Sequence, residues 1–269
     1  MLIVKIGGGK QIRWDYICED LKVLIDSGEK LIIVHGASEI RDEIAQKMGS
    51  PTRTVISPSG FSSVYTDKTA LDIFLMAYCG LANKTIVAQM QLFGINALGL
   101  SGVDGMLWQA KAKTNLMILE DGKTKLIKDN LTGKVEKINT ELIHLLMQND
   151  YVPVICAPAI SYESQIVNTD NDMATAVMAG ALGAKKVIYL FEASGLMKDL
   201  KNPDSIIRNL SRSQIDEHMS FAQGRMKKKM MGASKALDLG VKQVFFGDGR
   251  IEKPITNALT GKGTIINLK

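Results

Sequence analysis

Cysteine is scarce in this chain. Three occur among 269 residues, Cys18, Cys79 and Cys156, each isolated within an apolar run. No pair has the C-x-x-C spacing of a metal or redox site, so reduced thiols of a cytoplasmic protein are the expectation. No apolar run approaches the ~18 residues of a membrane span. The N-terminus begins directly on a strand-like stretch, and no signal peptide is read there. Aromatics are few, with 7 Phe, 6 Tyr and 2 Trp, and they do not interleave with basic residues as base stacking would need. The formal net charge of +5 is modest. It suits an anionic substrate or an acidic partner surface as well as anything else, so neither nucleic acid nor membrane is expected as a partner. The phosphate-loop pattern G-x-x-x-x-G-K-[ST] is missing from the glycine-rich start of the chain. No nucleophile triad and no Cys/His metal cluster stand out.

Short apolar runs alternate with helical patterns instead. Strands are predicted at 2–6, 30–34, 97–100, 152–157, 186–191 and 243–246, and helices at 14–27, 40–48, 68–93, 139–148, 172–182 and 224–239. LIIVHG and KVIYLF are nearly continuous in apolar residues, as strands buried on both faces should be. Strand and helix in alternation imply an α/β fold, a mainly parallel central sheet covered on both sides. Residues 106–138 break the alternation. Asp121-Gly122 there signals a hairpin, read as antiparallel strands inserted at the edge or lip of the sheet. A soft boundary near Pro158 divides an N-terminal part from a C-terminal part.

Four stretches carry chemistry. In KIGGG, Lys5 ends an apolar strand and Gly7, Gly8 and Gly9 follow; the turn is either plain or an anion cradle of exposed N–H groups with an ammonium at its rim. In LIIVHGAS, His35, Gly36, Ala37 and Ser38 open a second turn before a helix, whose N-terminus favours negative charge. His35 is a general base or, more simply, a histidine bonded to backbone. In IVNTDNDMATAV, Asp172 is either the cap of a small-residue helix or a carboxylate that holds cations, with Asn168 and Asp170 as turn formers. In GRMKKKMMGASKALDLG, helical spacing puts Lys229 on the face of Met226, Ala233 and Ala236, whereas Lys227 and Lys228 point elsewhere and read as solvated. A cation early in a helix opposes the dipole and calls for an anion. Two lysines, two glycine turns and one carboxylate suit phosphoryl transfer, where positioning and charge neutralisation do most of the work.

With these residues in view, the sequence resembles the amino acid kinase family over nearly its whole length. The resemblance rests on KIGGG at 5–9, HGAS at 35–38, SGVDGML at 101–107, TGKV at 132–135, NTDNDMATA at 168–176, LFEASGL at 190–196, GRMKKK at 224–229 and GKGTII at 261–266. It is similar to the acetylglutamate kinase branch. It is closer still, through SPSGFSSVYTDKTALDIFLMAY and LSGVDG, to kinases that phosphorylate the side carboxylate of aminoadipate or glutamate held on a small acidic carrier, LysW. The resemblance implies one domain over 1–269, a three-layer αβα sandwich in two lobes. Residues 1–157 would take the acceptor and 158–269 would take ATP with Mg2+. It implies catalytic roles for Lys5 and Lys229, with Asp172 orienting both. Gly7, Gly8, Gly36 and Ala37 would supply phosphate contacts, and Asn168, Ser63 and Tyr65 substrate contacts. It implies a cytoplasmic homodimer acting in lysine- or arginine-type biosynthesis, with the helix at 68–93 contributing to the dimer. A kinase of N-acetylglutamate or another small acid, and a non-catalytic sensor on the same fold, are the alternatives. The chain departs from the family in three places. Ala37 and Ser38 interrupt the usual HGGG, Phe191 and Glu192 replace a small polar residue and an aspartate, and Val64 stands where an arginine binds the acceptor's α-carboxylate. Arg41 and Arg53 are the candidates to serve in its stead. Lys111, Lys113, Lys123, Lys125, Lys128, Lys134 and Lys137 crowd the hairpin insertion. They form either a solvated edge or a docking surface for an acidic carrier.

Overall fold

The computed structural model describes residues 1–199, 202–222 and 224–269. Its strands are β1 (Leu2–Ile6), β2 (Leu31–His35), β3 (Thr54–Ile56), β4 (Ser62–Val64), β5 (Ala97–Gly102), β6 (Trp108–Lys113), β7 (Leu116–Glu120), β8 (Lys123–Ile127), β9 (Thr132–Ile138), β10 (Val152–Ser161), β11 (Ile166–Thr169), β12 (Lys186–Phe191), β13 (Asn209–Ser211), β14 (Gln243–Asp248) and β15 (Thr264–Asn267). Its helices are α1 (Trp14–Asp26), α2 (Ser38–Lys47), α3 (Lys68–Leu75), α4 (Asn83–Leu92), α5 (Thr140–Gln148), α6 (Asn171–Ala181), α7 (Ile215–His218), α8 (Arg225–Asp238) and α9 (Pro254–Leu259).

The central sheet runs β11-β9-β6-β10-β2-β1-β12-β14-β15-β13, with β5 also paired to β10. Its middle strands β10, β2, β1, β12 and β14 are all parallel. Antiparallel pairs appear towards the edges, at β6–β9, β10–β11 and β14–β15. The insertion at 106–138 is more divided than its sequence suggests. Strands β6 and β9 join the main sheet, whereas the β7–β8 hairpin, turned at Asp121-Gly122, joins β3 and β4 in a separate antiparallel sheet of order β4-β3-β7-β8.

Period two decides what each face of β1 carries. Leu2, Val4 and Ile6 pack into one apolar cluster with Ile33, Ile188 and Leu190, and Ile3 packs into the other with Ile32, Val187 and Tyr189. Lys5 shares the face of Ile3, so its side chain enters the layer where α6 and α8 pack together. Those helices approach closely because Gly232 has no side chain: a Cβ there would lie 3.0 Å from the Asp172 carbonyl oxygen.

Helices α3 and α4 are joined by a π-helical turn, Met76–Ala82. Together they form a run of 25 residues, Lys68–Leu92, long and apolar enough by length and composition to cross a membrane. Here it lies against β5, β10 and α2, burying Leu71, Phe74, Ala77, Ile86 and Met90 in the two apolar clusters and the layers beside them. The cysteines are all free, but they are not all isolated: the Cys156 thiol donates to Cys79 Sγ at 3.9 Å. Burial pushes the Cys18 thiol up to about 12.

One buried carboxylate outside the ligand cleft holds the C-terminal end of the sheet. Helix α9 has Lys253 at its N-cap with no side-chain cap of its own. Asp20 of α1 supplies one, accepting from the N–H groups of Ile255 at 2.7 Å and Thr256 at 2.8 Å and from Thr256 Oγ1. Asp20→Ala should lower stability in urea unfolding by about 2 kcal/mol, because a cap is lost and buried donors are left unpaired. A change below about 0.5 kcal/mol would show that water replaces the cap.

Candidate active site

A cavity of about 1190 Å³ opens at the carboxyl ends of β1 and β2, where parallel sheets of this kind receive ligands. Lys5, Asp172 and Lys229 meet in its wall, respectively 5%, 6% and 8% exposed. Lys5 Nζ lies 2.6 Å from Asp172 Oδ1, an ion contact outside hydrogen-bonding angles, and Lys229 Nζ donates to Oδ2 at 3.2 Å. Burial works against the charge of Asp172. Lys229 and then Lys5 overcome it and hold the carboxyl well below the usual carboxylate range. Burial outweighs Asp172 at Lys229 and draws that ammonium below the usual lysine range. Lys229 also sits 5.6 Å from the centre of the Phe191 ring.

The pattern Asp-Asn-Asp explains how Asp172 is free for this. Asp170, not Asp172, is the N-cap of α6: its Oδ1 accepts from the N–H groups of Asp172 and Met173. Asp172 then stands in the first turn, where the helix dipole favours its charge, and turns its carboxylate to the lysines.

The two small-residue turns nest backbone against backbone. A Cβ on Gly8 would fall 2.3 Å from Ala37 N and 2.5 Å from Ser38 N. The N–H groups of Gly7 and Gly36 extend the strand ladders, donating to the Leu190 and Ile6 carbonyls. They are therefore engaged within the chain, contrary to the expectation that they face an anion. The N–H groups of Gly8, Gly9 and Ser38 have no partner among the described residues, while Ala37 is buried between the turns and outside the cavity lining. His35 is fully buried, with Nε2 3.0 Å from Asn83 Nδ2 and Nδ1 3.2 Å from the Gly36 carbonyl. Its pKa falls to about 4, chiefly by burial, so the ring is a neutral prop for the turn. Asn171, which the sequence did not single out, donates to the His35 carbonyl at 3.0 Å, leaving its own buried Oδ1 without a partner.

The other end of the cavity is walled by the second sheet. Ser63 and Val64 line it, as do Asn168, Thr169, Tyr78 and Arg41. Asn168 Nδ2 donates to Thr66 Oγ1 at 3.0 Å, and the buried Oγ1 of Thr169 is unpartnered. Tyr65 is not brought to the lining. Its ring lies beside Arg53, and Asp129, by accepting from its hydroxyl, pushes it up to about 12. Lys227 and Lys228 are less free than their spacing suggests: Lys227 Nζ sits 4.4 Å above the Phe61 ring, and Lys228 Nζ lies 3.7 Å from Asp170 Oδ2. All seven lysines of the insertion are exposed; Lys125 pairs with Glu120, which also takes Arg53. Among the described residues, no cluster of three His, Cys, Asp or Glu side chains is placed to hold a metal ion.

The sequence pattern of the amino acid kinase family matches residues 1–248. A [LysW]-aminoadipate kinase of Deinococcus radiodurans is 44% identical over 99% of this chain and 91% of its own length. One of Thermus thermophilus is 41% identical over 99% of this chain and all of its own. Among solved structures, smu.665 from Streptococcus mutans UA159 superimposes with a TM-score of 0.78 at 20% identity, covering 100% of this chain and 98% of that one.

Proposed function

The chain belongs to the amino acid kinase family, and we propose that it is an ATP-dependent kinase of the side-chain carboxylate of aminoadipate or glutamate linked to a LysW-type carrier. The observation that carries this reading is the buried Lys5–Asp172–Lys229 cluster beside the nested glycine turns. Two ammoniums tethered to one carboxylate form a preorganised cationic seat for a transferring phosphoryl group. The unpartnered N–H groups of Gly8, Gly9 and Ser38 add donors for phosphate oxygens, and the bare Cα of Gly8 lets the two turns close on each other, so that all three residues line the one cavity. An oxygen of the acceptor carboxylate attacks the γ-phosphorus, the bond to the β-bridging oxygen breaks, and ADP and an acyl phosphate leave. The attacking group is already anionic, so no side chain has to remove a proton, which agrees with the buried neutral His35. Both oxygens of Asp172 face ammoniums, so a magnesium ion arriving with ATP would take its ligands from phosphate oxygens and water, supplying further charge neutralisation.

In this reading residues 1–157 hold most of the acceptor, with Ser63 on it and Asn168 reaching it from the second part, and residues 158–269 hold the nucleotide. The exposed lysines of the insertion receive an acidic carrier, and the relatives named for LysW-linked substrates favour that use. The protein works in the cytoplasm as a homodimer, formed through the helical run 68–92, whose outer face leaves Met76 and Leu81 exposed. ADP release with hydroxylamine trapping of the acyl phosphate tests the reaction. Carrier-linked aminoadipate or glutamate should give both signals, with N-acetylglutamate a poor substitute. Absence of ADP release with every one of these acids would overturn the proposal.

A further inference from the structure

The acceptor end of the cavity needs a cation, and Val64 of β4 supplies none. An aminoadipate or glutamate joined to a carrier through its amino group keeps two carboxylates, one to attack and one, on the α-carbon, to be held. Lys5 and Lys229 are tied to Asp172 at the phosphoryl end. Lys228 leans on Asp170. Lys113 lines the cavity but is exposed, a solvated point charge. Arg53 is half exposed at 52%, pairs with Glu120 and does not line the cavity.

Arg41 differs from all of these. It lines the cavity from the first turns of α2, and its side chain is only 11% exposed. Its Nε and Nη2 donate to one oxygen, Asp42 Oδ1, at 3.0 and 2.7 Å. Thr52 Oγ1 crowds the same oxygen at 2.6 Å. Nη1 has no hydrogen-bond partner among the described residues. Asp42 is 43% exposed, and a partly solvated neighbour on the same helix satisfies a buried guanidinium poorly. A planar fork with an unused edge is what a carboxylate binds in bidentate fashion. Val64, also in the lining, presents only an apolar surface.

We propose that Arg41 is the residue that reads the acceptor's α-carboxylate, from α2 and not from β4, where Val64 stands. The assignment rests on the carboxylate-kinase reading above and deepens it: the acceptor is a dicarboxylate, not a simple acid. Arg41 binds and orients; it takes no part in moving the phosphoryl group. Asn168, anchored to Thr66, and the unpartnered Thr169 hydroxyl are at hand for the rest of the acceptor.

The test compares carrier-linked aminoadipate with its α-carboxamide, first in the wild-type protein, where no substitution can disturb the fold. The carboxamide should be poorer by roughly 30-fold or more in kcat/KM, the range for removing one partner of a desolvated charge pair. Arg41→Ala should raise the acceptor KM by about as much and leave the ATP KM within about threefold, while its acid-to-amide ratio collapses towards unity. Arg41→Lys should recover part of the discrimination, since it restores the charge but not the fork. Equal use of acid and amide by the wild type overturns the assignment while leaving the kinase reading intact, and so does an Arg41→Ala variant that still discriminates as the wild type does. Should the wild type phosphorylate no carboxylate at all, the kinase reading falls and takes this assignment with it.

Discussion

Lys229→Met should lower kcat about a thousandfold, the range seen when one preorganised donor or cation is removed from a transferring group. Methionine nearly matches the length of the lysine stem and can lie against Phe191, so the change isolates the ammonium. The ATP KM should shift little, because Lys5, Asp172 and the free N–H groups of the turns remain. A loss confined to kcat means that the interaction strengthens as charge moves onto the departing oxygens, which is how differential binding accelerates a step. The pH profile gives a second readout. Burial draws the Lys229 ammonium below the ordinary lysine range, so wild-type activity should decline on the alkaline side earlier than an exposed lysine would allow, and Lys229→Met should lose that limb. A variant retaining more than a tenth of wild-type kcat would remove Lys229 from the chemistry.

Legibility in the sequence followed burial. Strands β1, β2, β10, β12 and β14 are buried on both faces, and their near-continuous apolar runs announced them. Strands β3 and β4 are three residues each, partly exposed and built from Thr, Val, Ile and Ser, so no period could show. The Asp121-Gly122 turn was evident because turn chemistry is local. That its hairpin leaves the main sheet to join β3 and β4 was not, because sheet membership depends on residues about sixty positions away. The site behaved in the same way. Lys5, Asp172 and Lys229 were nominated by motif, but the nomination could not tell which of two aspartates caps α6. Backbone geometry at Asp170 decides that. Gly7 and Gly36 looked like donors because a glycine turn advertises open N–H groups. Only the strand register shows that theirs continue the ladder. The neutral state of His35 follows from its complete burial, and its ring contact is Asn83, 48 residues further along; neither is visible to local reading. Arg41 and Arg53 are equal candidates in the sequence; only burial and the cavity lining separate them.

Asp172→Asn carries the other large effect, and it separates stability from activity. The amide keeps the shape of the carboxylate and removes its charge, leaving two ammoniums, 5% and 8% exposed, with no counter-ion between them. Breaking a buried ion pair in this way costs about 3–5 kcal/mol, more than the pair contributes relative to an apolar replacement, because the remaining charges stay desolvated. The sign with pH follows from the shifts. In the wild type the carboxyl is held below its unfolded value, so its contribution is fully present above about pH 4 and is lost as pH falls through the depressed folded value. In Asp172→Asn that acid dependence should vanish. The repelling ammoniums should instead bind protons less tightly folded than unfolded, so the variant gains stability as pH rises from 7 towards 10. Activity should fall at least a hundredfold, roughly, since the lysines lose the anchor that sets their spacing. Urea unfolding at pH 5, 7 and 9 reads the stability directly. A variant as stable as the wild type at pH 7 and flat across that range would mean that the lysines are not held against each other, and the cationic seat for the phosphoryl group would have to be sought elsewhere.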